Sequence, residues 1–213
     1  MTINELIKLN LKIYGVIDDR LYSVDDLLYY SQKYMLRFID QTENKKNKQA
    51  KIDLIAALFW YIALLCRFHI DIEKELWKHY SFKCPRCLDI PCSCENIDTS
   101  KRKKTGRPSS RRPKNLTDWQ QMIKKIYPVE EMPDISNKLI KCLDKLSFYF
   151  RNYIKKPNDK NFKELKYRTT DYFVLFFESF NLVNVDMEQQ IMKMFENGCY
   201  VCHKTPCICN YSE

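Results

Sequence analysis

The sequence predicts an all-α chain of two tandem helical repeats, each ending in a four-cysteine knuckle. Three observations carry that reading. The 213 residues include only three glycines against 14 tyrosines and 12 phenylalanines, and so few tight turns favour long helices over a many-stranded sheet. Apolar residues make up 45% of the chain, enough to bury a core. The third observation is a cysteine cluster that occurs twice with the same spacing.

Cys84-Pro85-Arg86-Cys87-Leu88-Asp89-Ile90-Pro91-Cys92-Ser93-Cys94 recurs as Cys199-Tyr200-Val201-Cys202-His203-Lys204-Thr205-Pro206-Cys207-Ile208-Cys209, both C-x2-C-x4-C-x-C with a proline before the third cysteine. Upstream, Ile70-Asp71-Ile72-Glu73 matches Val185-Asp186-Met187-Glu188, with the aspartates 115 positions apart like the cysteines. Near each start, Lys12-Ile13-Tyr14-Gly15-Val16 matches Lys125-Ile126-Tyr127-Pro128-Val129. The repeats are therefore drawn as 1–95 and 115–213, joined by a basic linker over 96–114.

Helices are predicted over Thr2–Val16, Val24–Asp40, Ala50–Phe68 and Ile72–Tyr80, then over Thr117–Tyr127, Ile135–Ile154, Lys160–Phe180 and Met187–Asn197. Asp71 and Asp186 read as N-caps, because a short carboxylate there accepts from free backbone N–H groups. Ala50–Phe68 is apolar nearly all round and should be central. Its apolar run of about 13 residues is too short to span a bilayer, and the N-terminus shows no secretion signal. The expectation is a cytoplasmic protein with no membrane partner.

Eight of the ten cysteines lie in the two clusters. Four thiolates within so short a span can build a tetrahedral all-sulfur site, which suits Zn²⁺. Cys84, Cys87, Cys92 and Cys94 form one ligand set, and Cys199, Cys202, Cys207 and Cys209 the other. An iron–sulfur cluster or disulfides are the alternatives, although disulfides belong to secreted domains. A site closed by four protein ligands is a structural staple with no open position for catalysis. His203 is a further candidate ligand, but the first copy has Leu88 at that place.

The formal charge of +9 is concentrated in Lys101, Arg102, Lys103, Lys104, Arg107, Arg111, Arg112 and Lys114; the remaining side chains sum to about +1. This linker cannot pack a core. It reads as a solvated tether, a nucleic-acid contact through phosphate attraction, or a contact for another acidic partner. Gly106-Arg107-Pro108 resembles half of an AT-hook, with Thr105 where that motif has arginine.

The combination of Lys12-Ile13-Tyr14-Gly15, the apolar helix running into Ile70-Asp71-Ile72-Glu73, and the cysteine tail resembles the MazG-type all-alpha NTP pyrophosphohydrolases. The resemblance implies helical bundles that pair, hence an internal pseudo-dimer here that further oligomerisation would extend. It also implies Mg²⁺ held by an E-E-x-x-E motif on one helix and E-x-x-D on the next, since residues three or four apart share a face and Mg²⁺ takes oxygen ligands. The first motif falls on Gln32, Lys33 and Leu36 in one half and on Asp144, Lys145 and Phe148 in the other. The second falls on Asp53 and Ala56, and on Arg168 and Asp171. One carboxylate of five survives in the first half and two in the second, with a lysine and an apolar residue at shared positions.

Three functions follow from this pattern. The leading one is a non-catalytic tandem protein that binds nucleotide or nucleic acid, with Lys33, Lys145 and Arg168 meeting phosphate directly. The second is a working Mg²⁺-dependent pyrophosphohydrolase with Asp144 and Asp171 as catalytic ligands and Glu164 as a third. The last is a scaffold for protein partners.

Overall fold

A computed structural model describes residues 1–94, 112–129 and 131–209. Among them are eight helices and no strand: α1 (Ile3–Leu21), α2 (Val24–Glu43), α3 (Asn47–Arg67), α4 (Ile72–His79), α5 (Leu116–Ile126), α6 (Met132–Lys155), α7 (Asp159–Leu182) and α8 (Met187–Met194). The basic residues Lys101, Arg102, Lys103, Lys104, Arg107 and Arg111 lie outside the described residues.

The chain forms two compact units, and they do not follow the repeat boundaries 1–95 and 115–213. Unit 1 comprises Met1–Ile70 and Asp186–Glu213, and unit 2 comprises Asp71–Val185. Each unit thus takes its first three helices from one repeat and its last helix and cysteine knuckle from the other. The crossovers fall at Asp71 and Asp186. Both are helix caps as the sequence indicates: Asp71 accepts from the Lys74 N–H at 3.0 Å and Asp186 from the Gln189 N–H at 2.8 Å.

In unit 1, α1 and α2 open with capping boxes, Thr2 with Glu5 and Ser23 with Asp26, each satisfying two free N–H groups reciprocally. α3 has no side-chain cap at Lys46; burial holds it instead. Leu54, Leu58, Tyr61, Ile62 and Leu64 are all fully buried, each contributing about 1.5–3 kcal/mol of transfer free energy. Among the described residues α3 is the one helix long and apolar enough to cross a membrane, and 67% of its most apolar window is buried inside the protein. Ser31 on α2 bridges to the Ala57 carbonyl at 3.1 Å, and Asn10 on α1 to the Phe59 carbonyl at 3.0 Å, so both helices are keyed to α3.

In unit 2, Asn115 and Asn158 cap α5 and α7 through the N–H groups of Asp118 and Asn161. α7 is the central helix, its Tyr172, Phe173, Phe176, Phe177 and Phe180 fully buried. Gln120 on α5 donates to Asn181 at 3.0 Å and to the Val185 carbonyl at 2.8 Å, tying α5 to the end of α7. The repeats differ at two places. α1 runs through Gly15 to Leu21, whereas α5 stops at Ile126: Pro128 forces the preceding Tyr127 out of the helical region, to φ −121° and ψ 94°. The α6–α7 pair is also longer, with 24 residues in each helix against 20 and 21 in α2 and α3.

Candidate metal centres and ligand cavities

The two cysteine sets each gather as one cluster, with the four sulfurs of a set within 4.8 Å of one another. In the knuckle of unit 2, Cys84 lies 3.4 Å from Cys92 and 3.5 Å from Cys94, and Cys87 lies 3.8 Å from Cys92. In unit 1 the matching separations are 3.4 Å for Cys199–Cys207, 3.9 Å for Cys199–Cys209 and 3.8 Å for Cys202–Cys207. A disulfide needs about 2.05 Å, and all eight cysteines are free. A tetrahedron with metal–sulfur bonds of about 2.3 Å has sulfur–sulfur edges of about 3.8 Å. The sets are therefore shaped for one tetrahedral ion each. Burial raises the Cys87 thiol, but the N–H groups of Ser93 and Asp89 outweigh it and bring it to about 6. The Ile208 and Lys204 N–H groups likewise hold Cys202 at about 6. Leu88 and His203 occupy the same left-handed turn position, with φ 71° and 55°. His203 is exposed and belongs to neither sulfur cluster.

The shared Ile-Tyr pair near each repeat's start receives the other repeat's knuckle. In unit 1 the Cys207 N–H donates to the Ile13 carbonyl at 2.7 Å, and the Tyr14 hydroxyl donates to Cys199 Sγ at 3.5 Å. In unit 2 the Cys92 N–H donates to the Ile126 carbonyl at 2.8 Å, and the Tyr127 hydroxyl to Cys84 Sγ at 3.4 Å. This docking is the physical reason that the compact units depart from the repeat boundaries.

Beside each docking tyrosine is a cavity, and many lining residues correspond at an offset of 115. Asp53, Ala56, Phe59, Trp60, Phe195 and Val201 line the cavity of unit 1; Arg168, Asp171, Val174, Leu175, Tyr80 and Arg86 stand in their places in unit 2. The chemistry differs sharply. The unit 2 cavity, of about 200 Å³, presents Arg86, Lys138, Lys141, Lys145 and Arg168 against two acids, Asp171 and Glu178. Both acids are engaged. Asp171 accepts from the Tyr80 hydroxyl at 2.6 Å and pairs with Arg168 at 3.5 Å and Arg86 at 4.0 Å, while Glu178 pairs with Lys138 at 3.5 Å. Among the described residues Lys141 and Lys145 have no acidic partner. Arg168 is packed over Tyr149 and Tyr167, with its buried Nε left without an acceptor.

Asp171, Lys145 and Arg168 thus converge, but three other expected site residues do not join them. Asp144 is exposed and lies off the cavity, which α6 lines instead through Lys138, Lys141 and Lys145. Glu164 does not line it either. In unit 1, Lys33 is exposed over the rings of Tyr29 and Tyr30, at 5.9 and 5.5 Å. Tyr34 and Arg37 are the α2 residues that reach the cavity. The longer α6–α7 pair shifts the register, so Lys33 and Lys145 are not structural counterparts. Leu36 and Phe148 are also exposed rather than facing a ligand. In the linker, Arg112 and Lys114 are exposed, and Arg112 pairs with Glu73 at 3.0 Å.

Sequence reading missed Arg86, Lys138 and Lys141. Arg86 is hidden between two cysteines of the first cluster, Cys84 and Cys87. Lys138, Lys141 and Lys145, spaced by three and four, mark one helix face legible in the sequence. Among the described residues the two cysteine sets are the only groups of three or more His, Cys, Asp or Glu arranged to share one ion. No protein family, curated protein or solved structure matches this chain.

Proposed function

We propose that this chain is a non-catalytic, internally duplicated MazG-like protein that binds the phosphates of a nucleotide in the basic cavity of unit 2, with structural zinc in each knuckle. The observation that carries the reading is the cavity's charge: five cationic side chains against two carboxylates already bonded within the protein. An anion with several oxygens is the complement. Arg168 offers a buried N–H and Lys145 and Lys141 offer ammonium groups, so the attraction is direct and needs no bridging metal. A magnesium cage needs several converging carboxylates. Asp171 is committed to Tyr80, Arg86 and Arg168, and cationic neighbours of this density repel a divalent ion. The small concave site favours a nucleotide over a polymer.

Zinc is favoured in the knuckles by four thiolate donors, tetrahedral sulfur spacing and the absence of an open coordination position. Matching turns, matching docking contacts and the mutual exchange of knuckles support duplication and an internal pseudo-dimer.

The test is calorimetric titration of the full chain with inorganic tripolyphosphate and with a nucleoside triphosphate in magnesium-free buffer. Binding should weaken at least tenfold, about 1.4 kcal/mol, in Lys145→Glu and should fall with added salt. Lys33→Glu should leave it unchanged. Absence of binding at millimolar ligand, or equal binding by Lys145→Glu, would refute the proposal.

A further inference from the structure

The unit 1 cavity, of about 260 Å³, has a different character. Its walls include Tyr14, Tyr34, Phe59, Trp60, Phe195 and Tyr200. Two polar side chains, each only 1% exposed, also line it: Asn10 and Asp53. The Asn10 amide is oriented by donating to the Phe59 carbonyl at 3.0 Å, which leaves Oδ1 buried without a donor. Asp53 Oδ1 receives Gln49 at 3.2 Å and pairs with Arg37 at 3.4 Å, and Oδ2 is buried with no partner.

An unmet buried acceptor loses its hydration without compensation. Water satisfies such oxygens but leaves the aromatic faces solvated. A flat ring covers those faces, and N–H groups on its edge meet the acceptors. A carboxylate oxygen favours a charge-assisted or strongly polarised N–H donor. The counterpart of Asp53 in unit 2 is Arg168, and that of Trp60 is Leu175, so unit 2 has neither the acceptor nor the indole at these positions.

We infer that the unit 1 cavity binds a flat aromatic ligand whose edge carries adjacent N–H donors, of the amidine or 2-amino-heteroaromatic class. Asp53 Oδ2 takes an N–H of that edge, Asn10 Oδ1 accepts a further donor, and the aromatic walls hold the ring. Arg37, on the rim, keeps the Asp53 carboxylate turned so that Oδ2 stays open. The two units then serve different ligands, one an N–H donor and the other an anion, and this site does not depend on what unit 2 binds.

The experiment titrates the full chain with 4-aminobenzamidine, a simple ring amidine, and with guanosine, which carries the same donor edge on a nucleoside. The isosteres 4-aminobenzamide and xanthosine, in which a carbonyl replaces one donor, serve as controls. Tryptophan fluorescence and calorimetry are the readouts. At least one probe should bind at least tenfold more tightly than its isostere, and the tighter of the two identifies a simple or a nucleoside source. Asp53→Asn should weaken it at least tenfold while tripolyphosphate binding at unit 2 is unaltered. Because Asp53 is buried, Ala56→Phe provides a second variant that fills the cavity without removing a partner, and it should also abolish the signal. Circular dichroism verifies the fold of both. Absence of binding by either probe at millimolar concentration, equal binding of the isosteres, or undiminished affinity in a folded Asp53→Asn protein would overturn the assignment.

Discussion

The Tyr14 hydroxyl donates to Cys199 Sγ at 3.5 Å, and Tyr127 repeats the contact on Cys84 at 3.4 Å. Each knuckle's first sulfur is therefore held by the repeat that does not encode it. The tyrosines also pack the helix that delivers the knuckle: Tyr14 meets Phe195 edge-on at 6.2 Å, and Tyr127 meets Tyr80 at 6.4 Å. Tyr127→Phe keeps the ring and removes the donor. It should cost about 1 kcal/mol and speed zinc release from one of two sites, measured as a biphasic release curve with a metal-binding dye.

Metal removal should act on the whole fold, because each knuckle is pinned to another repeat's helix through Ile13 or Ile126. Metal analysis after gel filtration should give about two zinc ions per chain, since folding and ligation are coupled. Stripping them should lower the melting temperature by roughly 10 °C or more, as a loss of about 4 kcal/mol implies for a chain of this size. An unchanged melting curve in the metal-free protein would contradict the stapling role.

Asp18 gives a pH dependence. Burial pushes its carboxyl up to about 7, against the pull of Arg67 and with a small push from Asp19. The unfolded chain releases this proton near pH 4, whereas the fold keeps it until about pH 7. Stability from this group therefore declines between those values and is level above them. Asp18→Asn should match the native protein at pH 4 and gain stability up to pH 7, by at most about 4 kcal/mol, in denaturant titrations across that range.

Glu75 works in the opposite sense. Its hydrogen bond to His79 pulls its carboxyl down, burial pushes it up, and Lys78 and Lys166, each at 3.2 Å, bring it to about 2. This stabilisation is complete above about pH 4.5 and is lost as the pH falls toward 2. Glu75→Gln should cost up to about 3 kcal/mol at pH 7, and the difference from the native protein should shrink steadily below pH 4.5 in parallel melts.

Much of the fold could be read from the chain. Asp71 and Asp186 announced helix starts because capping chemistry is local. Ala50–Phe68 announced a buried helix because its apolar residues leave no polar face. The cysteine spacing announced two four-sulfur clusters that could each hold an ion, because tetrahedral ligation tolerates few arrangements. The exchange of knuckles was not legible: the Ile13-Tyr14 and Ile126-Tyr127 pairs recur visibly, but spacing does not say which cysteines dock on them. The register of α6 was obscured by an extra helical turn in the α6–α7 pair. Lys145 and Arg168 were legible as phosphate contacts of the cavity, whereas Lys138 and Lys141 were not, because the acidic pattern implied by resemblance points to Asp144, which lies off the cavity.

Equilibrium dialysis of a nucleoside triphosphate against the full chain, with and without Mg²⁺, followed by analysis of the retained nucleotide, tests the central claim most directly. Retention of intact triphosphate in magnesium-free buffer, without pyrophosphate release when Mg²⁺ is added, is the expected result. Retention only with Mg²⁺, accompanied by pyrophosphate release that Asp171→Ala abolishes, would contradict it.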